Sequence, residues 1–296
     1  MRKRYLKDEY GSDSCFWEAN WDRDWEAKYK KPPSYPQIRP KLVERMERYL
    51  DRNMLILEGG CGDCHYVRYF SIKGYNIIGV DYAEKTIQKV KQALPELDIR
   101  YGDITHLDFP DGYFDAYYSG GVIEHFEKGP WQGIAEAHRV LKTGGYLFMS
   151  VPFMNVSRQF STLLRKAYYK VDLDGRDTFI EEHVNDFCVR PPPDGYHFFE
   201  YVFELFEIRQ HLTDHGFSII EEMPYSSECG LIDLEGYRKL VRPAHKHRNY
   251  LNKLFAIPLL FISLIERSRY SLTNIPSGIL GEFLGNMRLL VCRAVK

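Results

Sequence analysis

The sequence predicts an α/β protein built on a mostly parallel sheet with helices on both faces. Three observations carry this expectation. Between residues 54 and 151, short apolar runs alternate with amphipathic stretches, the pattern of successive strand–helix units. Parallel strands need a long, usually helical crossover, and sheets made this way are covered on both faces. Glycines and carboxylates gather where the apolar runs end, at the edge where such sheets bind ligands.

Met54–Leu57 opens as a strand and feeds a glycine turn, followed by a helix to about Phe70. Tyr75–Val80 is a second apolar run, ending at Asp81. Ala83–Leu94 sets Ile87, Val90 and Leu94 at helical spacing, and Pro95 stops it. Asp98–Tyr101 is a short run leading to Gly102 and Asp103, and Phe114–Tyr118 opens into Ser119, Gly120 and Gly121. Trp131–Leu141 reads as a helix with a glycine stop at Thr143–Gly145, before the strand Tyr146–Val151. Glu200–His215 reads as a helix, with Phe217–Glu222 and Met287–Ala294 as further strands. Residues 1–50 are expected to form an N-terminal helical lid and linker, with a stripe of Trp17, Trp21, Trp25 and Tyr29 at spacing four. That stripe suits either a lid or a plain packing face. Residues 51–296 form the main domain, with insertions at about 152–199 and 224–286 as a substrate cap.

Composition narrows the function. A net charge of −1 and the absence of a basic stripe disfavour nucleic acid as a partner. The 22 Tyr and 18 Phe suit an aromatic cleft or a large core. No apolar leader follows the basic first residues, so a cytoplasmic location with free thiols is expected. Leu254–Ile265 is too short to span a bilayer and contains Pro258; peripheral membrane contact, a buried helix or a dimer interface all fit it.

Cys61-Gly62-Asp63-Cys64-His65 matches C-x-x-C-H, a haem-attachment pattern containing a redox or zinc half-site. Haem goes with export, and no second C-x-x-C or C-x-x-H completes a metal set, so no metal is expected. Gly60 and Gly62 instead permit positive φ and close approach of backbone N–H groups to a ligand. Asp81 lies 21 residues after Gly60, where ribose hydroxyls are bound in dinucleotide sites. The dinucleotide fingerprint wants glycine where His65 stands, which disfavours NAD or FAD.

Glu58-Gly59-Gly60-Cys61-Gly62-Asp63-Cys64, Asp81 in GVDYA, Asp103 in YGDI, FDAYYSGGVIEHF (114–126) and EAHRVLKTGGYLFMSVP (136–152) occur in order. Together they resemble the five motifs of class I S-adenosylmethionine-dependent methyltransferases, with Cys64 replacing the third glycine of the first. The resemblance implies a Rossmann-like seven-stranded sheet with a reversed final strand, and S-adenosylmethionine as cofactor. It implies cofactor-binding roles for Glu58, Gly59, Gly60, Cys61, Gly62, Asp81, Tyr82, Gly102, Asp103, Ile104, Ser119, Gly120 and Gly121. Gly60 and Gly62 would face the methionine moiety, Asp81 would accept both ribose hydroxyls, and Asp103 would meet the adenine amino group with Ile104 beside the ring. Ser119–Gly121 would line the methionine side. Methyl transfer needs in-line positioning, and a base only where the acceptor must lose a proton. His125 is the candidate base, with Glu124 beside it, and His197 a weaker one. A small-molecule or carrier-linked acceptor, lipid-like among the options, is expected. The rivals are a NAD-dependent oxidoreductase and a non-catalytic cofactor-binding subunit.

Overall fold

The computed structural model describes residues 1–6, 14–21, 29, 32–34, 37–155, 158, 179–183, 195–225 and 287–296. In chain order its elements are β1 (Arg2–Leu6), α1 (Ser14–Trp21), α2 (Pro40–Glu47), β2 (Leu55–Gly59), α3 (His65–Ile72), β3 (Asn76–Asp81), α4 (Glu84–Ala93), β4 (Ile99–Tyr101) and β5 (Phe114–Gly120). A 3₁₀ turn at Ile123–His125 follows, then α5 (Trp131–Val140), β6 (Leu141–Pro152), β7 (Phe179–His183), β8 (His197–Val202), α6 (Leu205–Asp214), β9 (Phe217–Tyr225) and β10 (Met287–Ala294).

The apolar runs pair into one seven-stranded sheet of order β4-β3-β2-β5-β6-β10-β9. It is mostly parallel with a reversed final strand; β2 pairs parallel with both β3 and β5. After β2 the chain builds outward through β3 and β4, then crosses back to start β5 on the other side. Strand order therefore reverses between β2 and β5, where a crevice opens beyond the strand ends. Ile56, Leu57, Ala116 and Leu147 are fully buried, as expected of central strands covered on both faces.

A second sheet, β7-β1-β8, is antiparallel. The basic start Arg2–Leu6 becomes its middle strand because its charges find partners. Lys3, 1% exposed, reaches Glu127 at 2.7 Å and lies 5.2 Å from the rings of Tyr5 and Phe198. Arg4 pairs with Glu200.

Two expectations are corrected. Glu200–Val202 do not start a helix: the aromatic run HFFEYV is strand β8, paired to β1, and the helix begins after Glu204, which forms a capping box with Glu207. Thr143, Gly144 and Gly145 do not separate helix from strand either. Leu141 already pairs with Phe114 and pairing resumes at Tyr146 opposite Ala116, so Lys142–Gly145 bulge out of β6 with Gly144 at φ +74°.

The chain divides into two compact units, Met1–Pro152 with Asp177–Met223 and Leu289–Lys296, and Phe153–Arg176 with Pro224–Arg288. In the second, Arg158 donates from Nη1 to the Phe153 carbonyl (2.9 Å) and from its backbone N–H to Asn155 Oδ1 (2.7 Å). No helix among the described residues is long and apolar enough to cross a membrane. Leu254–Ile265 and Trp25 lie outside them.

Arg139 ties α5 to the loop before β5. It donates to the Leu107 and Phe109 carbonyls and to Glu136 and Asp111. Asp111 is 78% exposed, so its share is small; Glu136 and the carbonyls carry the effect. Arg139→Ala is expected to lower stability by about 2 kcal/mol, read as a lower urea midpoint at unchanged slope, with Arg139→Lys recovering less than half.

Candidate functional site

The site begins with a clasp between two strand ends. β3 ends on Asp81, 6% exposed, whose Oδ2 accepts the Gly62 N–H (2.8 Å) and whose Oδ1 accepts the Ala83 N–H (2.9 Å). Gly60 and Cys61 donate to the Val80 carbonyl at 2.8 and 3.1 Å. The turn after β2 is thereby fixed to the end of β3. Burial pushes the Asp81 carboxyl up, against the N–H groups of Ala83, Gly62 and Tyr82 that pull it down. A carboxylate offers about four lone-pair directions, so ribose-type hydroxyls can still bond to it.

The turn leaves no room for side chains. A Cβ on Gly60, at φ +75°, would lie 2.4 Å from Val122 Cγ2; one on Gly59 would lie 2.1 Å from the Tyr117 hydroxyl. Gly62 and Gly121 also adopt positive φ. Cys64, at the family's third glycine, holds φ +61°, so the left-handed backbone survives the change of residue, at the strain that a Cβ adds there.

Beneath the turn, Glu58 is buried and accepts from the Val67 backbone, and its Oε2 has no hydrogen-bond partner among the described residues. The buried Ser119 and Ser150 hydroxyls are likewise without partners. Unsatisfied polar atoms this deep are rare in proteins; these three stand near the carboxyl ends of the neighbouring strands β2, β5 and β6, a placement that suits a polar ligand. Burial raises the Glu58 carboxyl well above its usual range. Between the ordinary carboxylate value and that raised one, the folded chain keeps a proton the unfolded chain has lost, so stability falls as pH climbs through that window. Glu58→Gln is expected to gain on the parent protein in thermal midpoint as pH rises above the ordinary carboxylate range; parallel curves would refute this.

The two cysteines are packed thiols. Their Sγ atoms lie 3.5 Å apart, both buried, and burial raises Cys61 well above the ordinary thiol value. Cys61 sits under Gly79, 3.0 Å from where a Cβ would be. The remaining expected residues are placed as follows. Tyr82 is 39% exposed beside Asp81. Gly102 donates to the Asp81 carbonyl (3.0 Å). Asp103 is exposed and its Oδ1 accepts the Thr105 N–H (2.8 Å), a local turn bond. Ile104 is buried in the core cluster, against Gly59. Gly120 closes β5, where a Cβ would lie 2.2 Å from the Tyr118 hydroxyl. His197 is exposed at the start of β8.

His125 ends the 3₁₀ turn and donates from Nδ1 to the Phe199 carbonyl (2.7 Å). Burial lowers its pKa, so the ring is neutral with its lone pair on Nε2. Trp17 packs edge-on against it, ring centroids 4.8 Å apart.

Two residues take contacts that the sequence reading did not give them. The Tyr29 hydroxyl donates to the Asp63 carbonyl (2.9 Å) and Arg68 donates back to the Tyr29 carbonyl (3.2 Å), bringing the N-terminal segment onto the glycine turn. Glu200 comes to within 4.8 Å of Glu124 and His125. Tyr29 belongs to the spacing-four aromatic stripe, whereas no short-range motif marks Glu200.

Comparison with known proteins fits this geometry. Residues 57–149 match the family model described as "Methyltransferase domain". The chain is 36% identical over 99 residues to the chloroplastic 2-methyl-6-phytyl-1,4-hydroquinone methyltransferase of Spinacia oleracea, covering 32% of this chain and 28% of that one. It is 25% identical over 138 residues to the malonyl-[acyl-carrier protein] O-methyltransferase of Yersinia pestis, covering 45% of each. The chain thus spans less than half the length of these curated relatives. A crystal structure of a Methanosarcina mazei S-adenosylmethionine-dependent methyltransferase shares the fold at TM-score 0.51 and 19% identity, covering 87% of this chain and 98% of that one. The five motifs in order, the methyltransferase domain matched at residues 57–149 and this sheet together support the class I S-adenosylmethionine-dependent methyltransferase family.

Proposed function

We propose that this protein transfers a methyl group from S-adenosylmethionine to a small-molecule or carrier-linked acceptor, leaving S-adenosylhomocysteine. The observation that carries the reading is the clasp of Asp81 on Gly62 at the strand-order reversal, lined by unsatisfied polar groups. These residues fit the cofactor: Asp81 would hold the ribose hydroxyls, and Glu58 to Gly62 with Ser119 to Gly121 would hold the methionine part. Gly102, Asp103 and Tyr82 would border the adenosine. The cofactor, when bound, supplies an electrophilic methyl group. The protein's task is then to orient the acceptor and exclude water. The acceptor class is supported by relatives named for a hydroquinone and for malonyl-acyl carrier protein.

We assign residues 1–50 as a lid over residues 51–296, and the insertions at about 152–199 and 224–286 as a substrate cap. Support for the lid comes from Trp17 on His125 and from Tyr29 on the glycine turn. Tyr29→Phe is expected to speed cofactor release several-fold, about the worth of one hydrogen bond of ~1 kcal/mol, in stopped-flow kinetics; an unchanged off-rate rejects the lid. His125 has the neutral ring a base requires, and that lone pair serves a proton or a metal ion equally well. A cytoplasmic location remains our reading.

Calorimetric titration with S-adenosylmethionine, S-adenosylhomocysteine and NAD tests the function. Binding of the first two alone is the expected result, followed by labelled-methyl transfer to a panel of phenols and acyl-carrier thioesters. Binding of NAD alone would favour the oxidoreductase; cofactor binding with no transfer to any acceptor would favour a non-catalytic subunit.

A further inference from the structure

We propose that Glu124, His125 and Glu200 bind one divalent first-row transition-metal ion. One ligand atom from each of the three side chains lies within 4.8 Å of the others. Ligands at about 2.1 Å from an ion in a tetrahedral or facial set lie ~3–3.4 Å apart, so side-chain movement of up to about 1.5 Å closes the set on binding. Glu124 is 2% exposed, and its Oε2 has no hydrogen-bond partner among the described residues. A buried carboxylate in that state is costly unless a cation or proton meets it. Arg4 brings one positive charge to this corner, through Glu200, whereas two carboxylates converge there. Lys3 is engaged by Glu127 instead.

The imidazole is suited to the role. Its Nδ1–H is held by the Phe199 carbonyl, the arrangement that orients a ligating histidine and leaves Nε2 to the metal. Two carboxylates and one imidazole form a mixed oxygen–nitrogen set, which suits Mn²⁺ or Zn²⁺ better than a thiolate-seeking ion. The three ligands come from the 3₁₀ turn after β5 and from β8, so the ion would sit close in sequence to Ser119–Gly121. Resting on the methyl-transfer reading, such an ion would lower the pKa of an acceptor hydroxyl, which points to an oxygen acceptor.

The test is titration of metal-stripped protein with Mn²⁺ and with Zn²⁺ by calorimetry, and with Co²⁺ by visible absorption. One equivalent of bound ion and a d–d band are expected. Glu124→Gln and Glu200→Gln should each weaken binding at least tenfold while leaving S-adenosylmethionine affinity within about twofold. That second readout shows the variants are folded and separates this inference from the cofactor reading. Parent protein that binds S-adenosylmethionine but shows no metal isotherm and no d–d band overturns the proposal, and so do variants that bind metal as tightly as the parent. In either case Glu200 serves as the partner of Arg4 alone.

Discussion

Asp81→Ala is expected to weaken S-adenosylmethionine binding by about 1.5–3 kcal/mol, roughly tenfold to 150-fold in Kd. The carboxylate has two tasks. It latches the Gly62 and Ala83 N–H groups, and under our proposal it accepts the ribose hydroxyls with its remaining lone pairs. Alanine removes both, so affinity and turn stability fall together. Asp81→Asn keeps one acceptor oxygen; it should recover part of the lost stability and little of the affinity. The pH dependence has a fixed sign. Because the Asp81 pKa is raised by burial, affinity falls on acidification from a pH above the ordinary carboxylate range. Calorimetry of the two variants across pH, beside urea unfolding, reads these effects separately. Unchanged affinity in Asp81→Ala would remove the central support for the site.

Gly60→Ala is expected to be among the most damaging single-methyl changes in the chain. The residue sits at φ +75°, which costs an L residue about 1–2 kcal/mol. The added Cβ also meets Val122 Cγ2 at 2.4 Å, and overpacking of this kind costs a further ~1–3 kcal/mol. Comparison variants divide the two terms. Gly112 has φ +64° but nothing nearer than 3.9 Å to its would-be Cβ, so Gly112→Ala carries backbone strain alone. Adding Val122→Ala to Gly60→Ala removes the Cγ contacts at 2.4 and 2.7 Å and leaves the Val122 Cβ at 3.1 Å together with the strain. Unfolding midpoints should order as Gly112→Ala least affected, the double variant between, and Gly60→Ala most. If Gly60→Ala matches Gly112→Ala, Val122 yields without cost and the steric part of the explanation is wrong.

Much of the site was legible in the letters because its parts are local. An apolar run, a glycine turn and an acid at the next strand end lie within one strand–helix–strand unit, so spacing along the chain fixes their spacing in the fold. Cys64 shows the limit of reading letters as geometry. It breaks the glycine pattern, yet its backbone keeps the left-handed conformation of the residue it replaces. The C-x-x-C-H run shows the reverse: a pattern suggesting haem or redox chemistry resolves into two buried thiols and a histidine beside Asp63. Gly144 and Gly145 gave a true irregularity and the wrong kind, because a bulge and a helix stop both ask for residues free in φ.

By itself the sequence determined the class of sheet, the turn after β2 and the acid at the end of β3, since these follow from periodicity and short-range spacing. It also disfavoured a dinucleotide turn, through His65 where a glycine would stand. Tertiary structure alone decided that the basic Arg2–Leu6 is a central strand, that Glu200 lies on β8 and meets Glu124 and His125, and that Tyr29 reaches the glycine turn. The physical reason is separation. Glu200 is 75 residues beyond His125, and a contact of that span leaves no periodic trace in the chain. It exists because antiparallel pairing with β1 fixes which way each side chain of β8 points.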